Sequence, residues 1–375
     1  MSVELPGGAT VLFVSKPVEP PWNDSSKNLV RDVATHLSRH RARVVVRRGS
    51  VAPPHTVGVP LHPPGAGGYA PALRENARVL ARLLAGPRAA LWHFFFAPNP
   101  RSGAAGRLAS GLRRVPTVHT VCSAPRPGVD LGRSLFADRT VVLSAHTEAR
   151  LREAGCRGLV RIPPSVPALP PMDARARGAA RERFGLPREA PVVAYPGDLE
   201  FGGGAERMIE ALGELPAEAI LVMACRRKTD AAAAVEARLR ARGEALAPGR
   251  VRWVGETDGI HALLGAADVV ALPSDDLWAK MDHPLVLLEA MSLERPVVVA
   301  AGTPAAELAE GGAARAVEPD AGAVAEAVGA LLEDAEAARA LGERGRARVL
   351  AVHAPARVAA AYERVYDGLL ERTER

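Results

Sequence analysis

The sequence predicts an α/β protein built from two doubly wound parallel sheets. Its 375 residues exceed the length of one typical domain and suit two. Short apolar runs alternate with segments of helical periodicity, which is typical of parallel sheets covered on both faces. The alternation stops at the proline-rich stretch PPSVPALPP over 163–171 and then starts again, so we place the division between the two sheets there.

The first half opens with a predicted βαβ unit. The run ATVLFVS at 9–15 predicts a strand, 25–40 carries apolar residues at helical spacing, and 42–48 predicts a second strand. The stretch 52–68 is rich in proline and glycine and predicts a loop. The remaining predicted elements are a helix over 71–85 and strands at 90–96, 115–121, 139–143 and 159–162.

The second half repeats the alternation from PVVAYPG at 191–197 onwards. Its other predicted strands are at 219–225, 251–255, 268–274, 296–300 and 315–319, and helices at 322–349 and 357–373 end the chain. The sequence therefore predicts an N-terminal domain over 1–165, a linker over 166–190 and a C-terminal domain over 191–355.

Composition excludes several classes of protein. Hydrophobic residues make up 48% and charged residues 24%, which is ordinary for a globular protein. No apolar run is long enough to span a membrane, and the N-terminus does not resemble a leader peptide, so we expect a cytoplasmic protein. The three cysteines, Cys122, Cys156 and Cys225, are widely spaced, form no CxxC motif and have no histidine cluster near them in the sequence. This argues against disulfides and a zinc site.

Charge differs strongly between the two halves. Residues 1–170 hold 23 Lys and Arg against 9 Asp and Glu, whereas residues 171–375 hold 25 against 33. This asymmetry favours an anionic partner for the first half: a membrane surface, a lipid-linked phosphate or an acidic glycan. Solvated arginine-rich faces are the alternative. Nucleic acid is not favoured, because no nucleic-acid motif accompanies the basic residues.

Ligands of open parallel sheets bind beyond the carboxyl ends of the strands, so the loops there are the candidate sites. After the first predicted strand come polar residues that suit acceptor or phosphate binding: Trp22, Asn23, Asp24, Ser25, Ser26 and Lys27. Helix capping by Asp24 or Ser25 is the alternative, and both roles are compatible.

Two loops of the second half carry features suited to phosphate. Gly202, Gly203 and Gly204 follow the strand at 191–197 and would let backbone approach a phosphate, although they equally fit a plain turn. Arg226, Arg227 and Lys228 follow the next strand. Three adjacent cations there make a diphosphate clamp or a solvated charge run.

The stretch 273–300 carries the strongest signal. A polar loop with Lys280 and Asp282 leads into a helix that opens near Pro284 and buries Leu285 and Leu288. Glu289 lies in that helix among apolar neighbours, so its carboxylate needs a hydroxyl or cation partner. A structural salt bridge is the alternative to a ligand.

These residues resemble the group 1 family of retaining glycosyltransferases with the GT-B fold. VRWVGETDGIHALLGAADVVALPSDD and LVLLEAMSLERPVVVAAGTPAAEL are similar to its donor-binding core, and VVLSAHTEARLREAG with VRIPPSVP is similar to its stretch before the linker. The resemblance implies two Rossmann-like domains facing across a cleft. It also implies that the last helix, 356–375, crosses back onto the N-terminal domain.

By this resemblance Glu289 matches the second glutamate of the family's E-x7-E motif, which grips the ribose of the donor. The matching positions near the base and donor are Gly255, Glu256, Thr257, Gly302, Thr303 and Glu307, with Leu285 and Leu288 beside them.

The sequence also departs from the family pattern. The first motif glutamate falls at Met281, between Lys280 and Asp282, which defines a subgroup with KMD at this position. Asp198 and Gly202 stand where the family has its diphosphate-binding Arg and Lys. We therefore expect the cationic role to fall to Arg226, Lys228 or Lys280. A family histidine falls at Cys122, while His119, on the opposite side of that strand, is more consistent with a structural role.

The resemblance implies transfer of a hexose from a UDP-, GDP-, ADP- or TDP-sugar to an acceptor hydroxyl, with retention and without a metal or other cofactor. The expected setting is bacterial glycan, glycolipid or glycosylated-metabolite biosynthesis, at the inner membrane face if the basic half makes peripheral contact. Lys280 would stabilise the leaving group, and Asp24, His93 and Asp282 are the candidate bases. A non-catalytic nucleotide-sugar-binding regulator and a nucleotide-sugar 2-epimerase are the alternatives.

Overall fold

The computed structural model describes residues 7–65, 71–125, 128–277 and 280–373. The chain divides into two compact units. The first unit contains the chain up to Val166, the tripeptide 280–282 and the C-terminal residues from Val352; the second contains the two stretches from Pro167 to 279 and from His283 to Ala351.

The first unit contains a sheet of seven strands. They are β1 Thr10–Val14, β2 Arg41–Arg47, β3 Thr56–His62, β4 Leu91–Phe96, β5 Thr117–Val121, β6 Arg139–Val142 and β7 Leu159–Arg161. Their order is β3-β2-β1-β4-β5-β6-β7, and every neighbouring pair is parallel. The helices between them are α1 Ser25–Thr35, α2 Leu73–Ala85, α3 Pro100–Arg113, α4 Leu131–Ser134 and α5 Ala145–Glu153.

Strand β3 corrects the sequence prediction, which made all of 52–68 a loop. Val44 pairs with Gly58 and Val46 with Pro60 in parallel register, and Val59 is buried. An edge strand tolerates a proline because one side of it has no hydrogen-bonding neighbour. Pro60 is therefore compatible with a strand at this position, and its sequence signal was misleading. Residues 66–68 of the predicted loop lie outside the described residues.

The second unit contains a sheet of six strands. They are β8 Val192–Tyr195, β9 Ile220–Met223, β10 Val251–Trp253, β11 Val269–Leu272, β12 Val297–Ala300 and β13 Arg315–Val317. The order is β10-β9-β8-β11-β12-β13, again with parallel neighbours. Its helices are α6 Ala174–Arg183, α7 Gly204–Ala211, α8 Ala232–Leu246, α9 Ile260–Ala266, α10 Leu285–Ser292, a 3-10 helix over Pro304–Gly312, α11 Ala321–Glu333 and α12 Ala335–Val352.

Two helical regions differ from the predicted pattern. Helix α6 falls inside the predicted linker 166–190 and packs against α9 within the second unit. The single helix predicted over 322–349 is two helices that meet at Asp334, which leaves helical geometry with φ −114° and ψ 90°. The Asp334 carboxylate accepts from the backbone N–H of Ala337 at 2.9 Å, so a side-chain cap accounts for the new start.

The last helix, α13 Pro355–Thr373, is part of the first unit. It packs against α1, and Tyr362 and Tyr366 on it are fully buried. Glu363, between them in sequence, is also buried. The helix therefore contributes to the core of a sheet that begins more than 300 residues earlier in the chain. Residues 374 and 375 of the predicted helix lie outside the described residues.

Candidate functional site

In the second unit, the loops after β8 and β11 meet at the point where the strand order reverses. Gly202 has φ +69°, and a Cβ on it would lie 2.6 Å from the carbonyl oxygen of Asp276 and 2.9 Å from Cβ of Ser274. The Asp275 N–H donates to the Gly202 carbonyl at 3.1 Å. Glycine is therefore required for close packing of the two loops. Helix α7 begins directly after this packed loop. Its N-cap is Gly203, which makes no side-chain hydrogen bond to the first turn.

Asp198 and Lys228 form a buried ion pair in the same region. Lys228 Nζ lies 2.8 Å from Asp198 Oδ2, and the two side chains are 7% and 2% exposed. Glu200 accepts from the N–H groups of Lys228 at 3.1 Å and Thr229 at 3.0 Å. The sequence suggested a repulsive Asp198 and a cation at Lys228 for a diphosphate. Instead, the positive charge of Lys228 is offset by Asp198.

The other cations of this loop have different settings. The Arg227 guanidinium is 61% exposed and pairs with Glu236 at 2.9 Å. Arg226 is partly buried, and its backbone forms an isolated parallel bridge with Asp198. Arg226 therefore lies next to the strand ends, whereas Arg227 belongs to a surface ion pair.

Glu289 lies on α10, with Leu285 and Leu288 of the same helix fully buried. Its side chain is 12% exposed, and its Oε1 lies 3.5 Å from Nε2 of His261. His261 is in the first turn of α9 and is 46% exposed. This histidine was missed by the sequence interpretation, although its position four residues after Thr257 was available as a signal. The two side chains leave a carboxylate and an imidazole side by side at the surface of the second unit.

Loops with positive φ lie on either side of this pair in the sequence. Gly255 has φ +71° and Gly302 has φ +70°. Thr257 Oγ1 accepts from the Gly259 N–H at 3.0 Å, and the hydroxyl of Thr303 donates to the Ala300 carbonyl at 2.9 Å. Glu256 is exposed. These threonines stabilise turns, and the glycines supply a backbone conformation that other residues rarely adopt.

Glu307 lies next to His283 of the polar loop before α10, a pairing that the sequence did not indicate. Nε2 of His283 lies 3.3 Å from Glu307 Oε2, and the side chains are 6% and 18% exposed. His283 immediately follows the KMD tripeptide. The pair therefore connects the loop before α10 with the 3-10 helix over Pro304–Gly312.

The KMD tripeptide is part of the first unit. Asp282 is fully buried and its Oδ2 accepts from the hydroxyl of Ser144 at 2.6 Å. Ser144 is also the N-cap of α5, accepting from the N–H of Thr147 at 3.0 Å. Met281 is buried and Lys280 is partly exposed. In this structure Asp282 is inaccessible to a substrate, which contradicts its expected role as a base; Lys280 remains compatible with its role.

Asp24 is the N-cap of α1, as one of the two sequence interpretations expected. Its Oδ1 accepts from the Ser26 N–H at 2.9 Å, and Lys16 Nζ lies 2.8 Å from Oδ2. Burial by itself would raise the pKa of Asp24, but Lys16 and the hydrogen bonds of the first turn lower it to about 2. A carboxylate with such a low pKa is a weak base near neutral pH, so the capping role is favoured.

Basic side chains surround Trp22 in this loop. The Arg31 guanidinium lies 4.8 Å and Lys27 Nζ 5.8 Å from the Trp22 ring centroid. Burial is the main cause of a lowered pKa at Lys27. Asn23 is exposed, and Ser25 and Ser26 are partly buried in the first turn of α1. The first unit thus has a cationic surface with an aromatic ring at the carboxyl end of β1.

His93 is an interior residue of the first unit. Its Nδ1 lies 2.6 Å from the Tyr366 hydroxyl and its Nε2 2.8 Å from Thr120 Oγ1, and burial holds its pKa well below the ordinary value. A general base must reach the acceptor's proton, so the expectation for His93 is corrected. His119 is also fully buried, with Nε2 3.1 Å from the Phe96 carbonyl oxygen, which confirms its structural role.

The described ranges contain no group of three or more His, Cys, Asp or Glu side chains that could hold a metal ion. None of the helices within them combines the length and the apolar character that a membrane span requires.

Residues 190–334 match the family model described as glycosyl transferases group 1. Over 233 residues the chain is 33% identical to D-inositol 3-phosphate glycosyltransferase of Xylanimonas cellulosilytica. That alignment covers 53% of this chain and 53% of the relative. The chain thus matches about half the length of this curated relative.

Solved structures are similar over nearly the whole chain. Anabaena HepE in complex with UDP has a TM-score of 0.77 at 18% identity, covering 96% of this chain and 100% of that one. Sucrose-phosphate synthase of Thermosynechococcus elongatus has a TM-score of 0.76 at 21% identity, covering 97% and 100%. These likenesses confirm the predicted fold class. The chain has the two-sheet α/β architecture of GT-B glycosyltransferases, and its segment 190–334 matches the group 1 family of those enzymes.

Proposed function

We propose that this protein is a glycosyltransferase that moves a sugar from a nucleoside-diphosphate sugar to an acceptor hydroxyl. The observation that carries the proposal is Glu289, a nearly buried carboxylate on α10 within the segment that matches the group 1 family. Anabaena HepE, a structural neighbour, has been crystallised with UDP and with UDP-glucose, which supports a nucleotide-sugar donor.

Glu289 is suited to bind the donor's ribose. An ionised carboxylate accepts hydrogen bonds from two neighbouring hydroxyl groups, and such charge-assisted bonds are stronger in a partly dehydrated site. His261 next to it adds a second polar group. The turns at Gly255, Glu256 and Thr257 and at Gly302 and Thr303 are the proposed neighbours of the base and the donor, by the resemblance given above.

The leaving diphosphate requires positive charge as the glycosidic bond breaks. Arg226 and Lys280 are the proposed sources, because they lie in the loops that the resemblance places near the donor. The charge of Lys228 is offset by Asp198. Helix N-termini add oriented N–H groups that favour an anion. The resemblance supports retention at the anomeric carbon and a hexose as the transferred sugar. Met281 and Lys280 replace the usual carboxylate at the sugar end, so unusual donor specificity is to be sought there.

The acceptor, or the carrier to which it is attached, is proposed to be anionic. Lys27 and Arg31 around Trp22 and the basic excess of the first 170 residues support this choice. Lipid-linked phosphate or an acidic glycan at the inner membrane face fits this charge, in glycan, glycolipid or glycosylated-metabolite synthesis.

The donor is best identified by thermal shift with UDP-, GDP-, ADP- and TDP-glucose, followed by transfer of labelled sugar from the donor that binds. A ligand that binds only the folded protein raises its melting temperature. Glu289→Ala should weaken binding at least about 30-fold, because it removes charged hydrogen bonds worth roughly 2 kcal/mol. Glu326→Ala, an exposed change on α11, is the matched control and should leave the shift intact.

Two results would overturn the proposal. An unchanged shift in Glu289→Ala would reject the ribose assignment. Binding without turnover or hydrolysis of any donor would favour the non-catalytic regulator, for which the loss of the first motif glutamate at Met281 is the supporting observation.

A further inference from the structure

A cavity of about 1100 Å³ lies at the amino-terminal edge of the second sheet. Its lining includes Pro191, Asp268 and Pro296, which immediately precede β8, β11 and β12. Asp198 and Ser274 follow these strands at the opposite edge. A four-residue strand is about 13 Å long, so the cavity is separate from the candidate donor residues.

The cavity is lined by charged groups of both signs, with arginine in excess. Its arginines outnumber its carboxylates by six to four, and the arginines are Arg175, Arg177, Arg181, Arg188, Arg295 and Arg339. Apolar lining comes from Met172 and from Leu331 and Leu332 at the end of α11. An excess of arginine next to an apolar patch suits an anion attached to an organic body.

Asp268 neutralises only two of the six arginines, because its carboxylate oxygens are fully used by Arg177, Arg181 and one backbone N–H. It pairs with Arg177, and its Oδ2 accepts from Arg181 Nη2 at 2.8 Å and from the Val192 N–H at 2.7 Å. Arg181 also donates to backbone carbonyl groups, including that of Ala266 at 3.1 Å. Arg181 is therefore a fixed structural element, buried under the cavity.

Arg295 differs from Arg181. Among the described residues it has no carboxylate in ion-pair contact; its Nε and Nη1 reach only the carbonyl oxygens of Leu293 at 3.2 Å and Ala267 at 3.4 Å. Glu294, its neighbour in sequence, instead pairs with Arg346 at 3.5 Å. Burial, and next the charge of Arg177, lowers the pKa of Arg295. Asp268 and Glu294 act in the opposite direction, and an anion in the cavity would add to their effect.

We propose that this cavity binds a phosphorylated small molecule, with Arg295, Arg175 and Arg188 facing its phosphate and the leucines of α11 contacting its organic part. Guanidinium groups match the geometry of phosphate oxygens and bind them through paired hydrogen bonds. The volume slightly exceeds the roughly 300–1000 Å³ of ordinary ligand pockets and accommodates a sugar phosphate or a nucleoside monophosphate. The inference does not depend on the proposed transferase activity.

The test is calorimetric titration and thermal shift of the full chain with glucose 6-phosphate and AMP. Glucose and adenosine at the same ionic strength are the neutral counterparts. We expect both phosphates to bind and their neutral counterparts not to. Arg295→Gln should weaken binding at least tenfold, whereas Glu289→Ala and the exposed change Arg242→Gln on α8 should leave it within twofold.

A second variant keeps the test decisive if Arg295→Gln lowers stability. The double change Arg175→Gln with Arg188→Gln alters two exposed lining residues and should weaken binding at least threefold. The proposal is overturned if neither phosphate binds, or if Glu289→Ala abolishes binding while the cavity variants do not. It is also overturned if sedimentation shows a dimer that Arg295→Gln dissociates, because a second copy would then cover the cavity.

Discussion

Asp198 and Lys228 form an ion pair inside the second unit, with side chains only 2% and 7% exposed. Two buried charges lose their hydration, and this loss is compensated only while both partners are present. A single carboxylate thus determines whether the lysine next to the strand ends is neutralised. The same pairing removes Lys228 from the charge available to a diphosphate.

Asp198→Asn should lower the free energy of unfolding by about 3–5 kcal/mol, because it leaves Lys228 buried without a counter-charge. Addition of Lys228→Met should restore most of that loss. Denaturant unfolding of the two variants measures both effects. Glu206→Gln, which alters an exposed pair with Arg238 at 3.8 Å, is the control and should change stability by under about 1 kcal/mol. If Asp198→Asn also lowered the free energy of unfolding by under about 1 kcal/mol, the proposed cost of leaving Lys228 buried and unpaired would be refuted.

His119 provides a pH-dependent test of the first unit. Burial lowers its pKa from 6.5 to about 4, so the unfolded chain binds a proton in this range while the folded chain does not. Stability from this group is therefore fully present above pH 6.5 and falls as the pH drops toward 4, by about 3 kcal/mol in total.

The measurement is the free energy of unfolding at pH 7 and pH 4.5 for wild type and His119→Asn. The variant is expected to have a lower free energy of unfolding at pH 7 but to lose less of it on acidification. The readout is therefore the slope of the free energy of unfolding against pH. The exposed change His55→Asn should retain the wild-type slope. Equal slopes in all three proteins would contradict a neutral, buried His119.

At the scale of elements, α13 is attached to the first unit by carboxylates as well as by its tyrosines: Asp367 pairs with Arg39 and His40, and Glu363 is buried. Glu363 accepts from the backbone N–H groups of Ser38 at 2.8 Å and Arg39 at 2.6 Å, and from the Ser38 hydroxyl at 3.0 Å. These donors lie in the turn between α1 and β2. Burial alone would raise the pKa of Glu363, but its hydrogen bonds lower it overall.

Glu363→Gln should destabilise the protein by about 2–3 kcal/mol, because it removes a buried negative charge and an amide N–H₂ would replace the oxygen that accepts from the Ser38 hydroxyl and from Arg39 Nε. Thermal unfolding measures the loss, and hydrogen exchange should show faster opening of α13. Glu371→Gln, an exposed change on the same helix, is the matched control. Unchanged exchange in α13 would show that its tyrosines and Asp367 suffice to hold it.

For the whole molecule, charge is distributed by unit rather than evenly. The first 170 residues contain 23 basic and 9 acidic side chains, and Lys27 and Arg31 of this set surround Trp22. A surface of this kind attracts anions over a distance set by the salt concentration, about 10 Å at 0.1 M. Binding to an anionic acceptor or membrane must then depend on salt.

We expect binding to vesicles containing phosphatidylglycerol, with an affinity that falls at least about tenfold between 50 and 500 mM salt, and none to vesicles of phosphatidylcholine alone. Co-sedimentation measures both. The double change Lys27→Gln with Arg31→Gln should weaken binding, whereas Arg242→Gln in the second unit should not. Binding that is insensitive to salt would contradict an anionic partner.

The fold could be predicted from the sequence because its signals are local. Apolar runs such as VVAY at 192–195 and VVVA at 297–300 are buried on both faces of a parallel sheet, and this requirement is visible in any window of the chain. Glu289 could be selected as a candidate for a similar reason, since a carboxylate among leucines of one helix needs a partner; its role as a ribose ligand stays a prediction. The strand β3 was missed because its single glycine and proline, Gly58 and Pro60, lie within a stretch whose other prolines and glycines predict a loop.

By itself, therefore, the sequence determined two parallel sheets, the basic first half and a carboxylate at position 289. Only the tertiary structure decided that Asp198 neutralises Lys228, that Ser144 holds Asp282 in a buried position, and that His93 lies between Tyr366 and Thr120. The physical reason is that a side chain's charge state and accessibility depend on groups 27 to 273 residues away in the chain, and no local pattern encodes those partners.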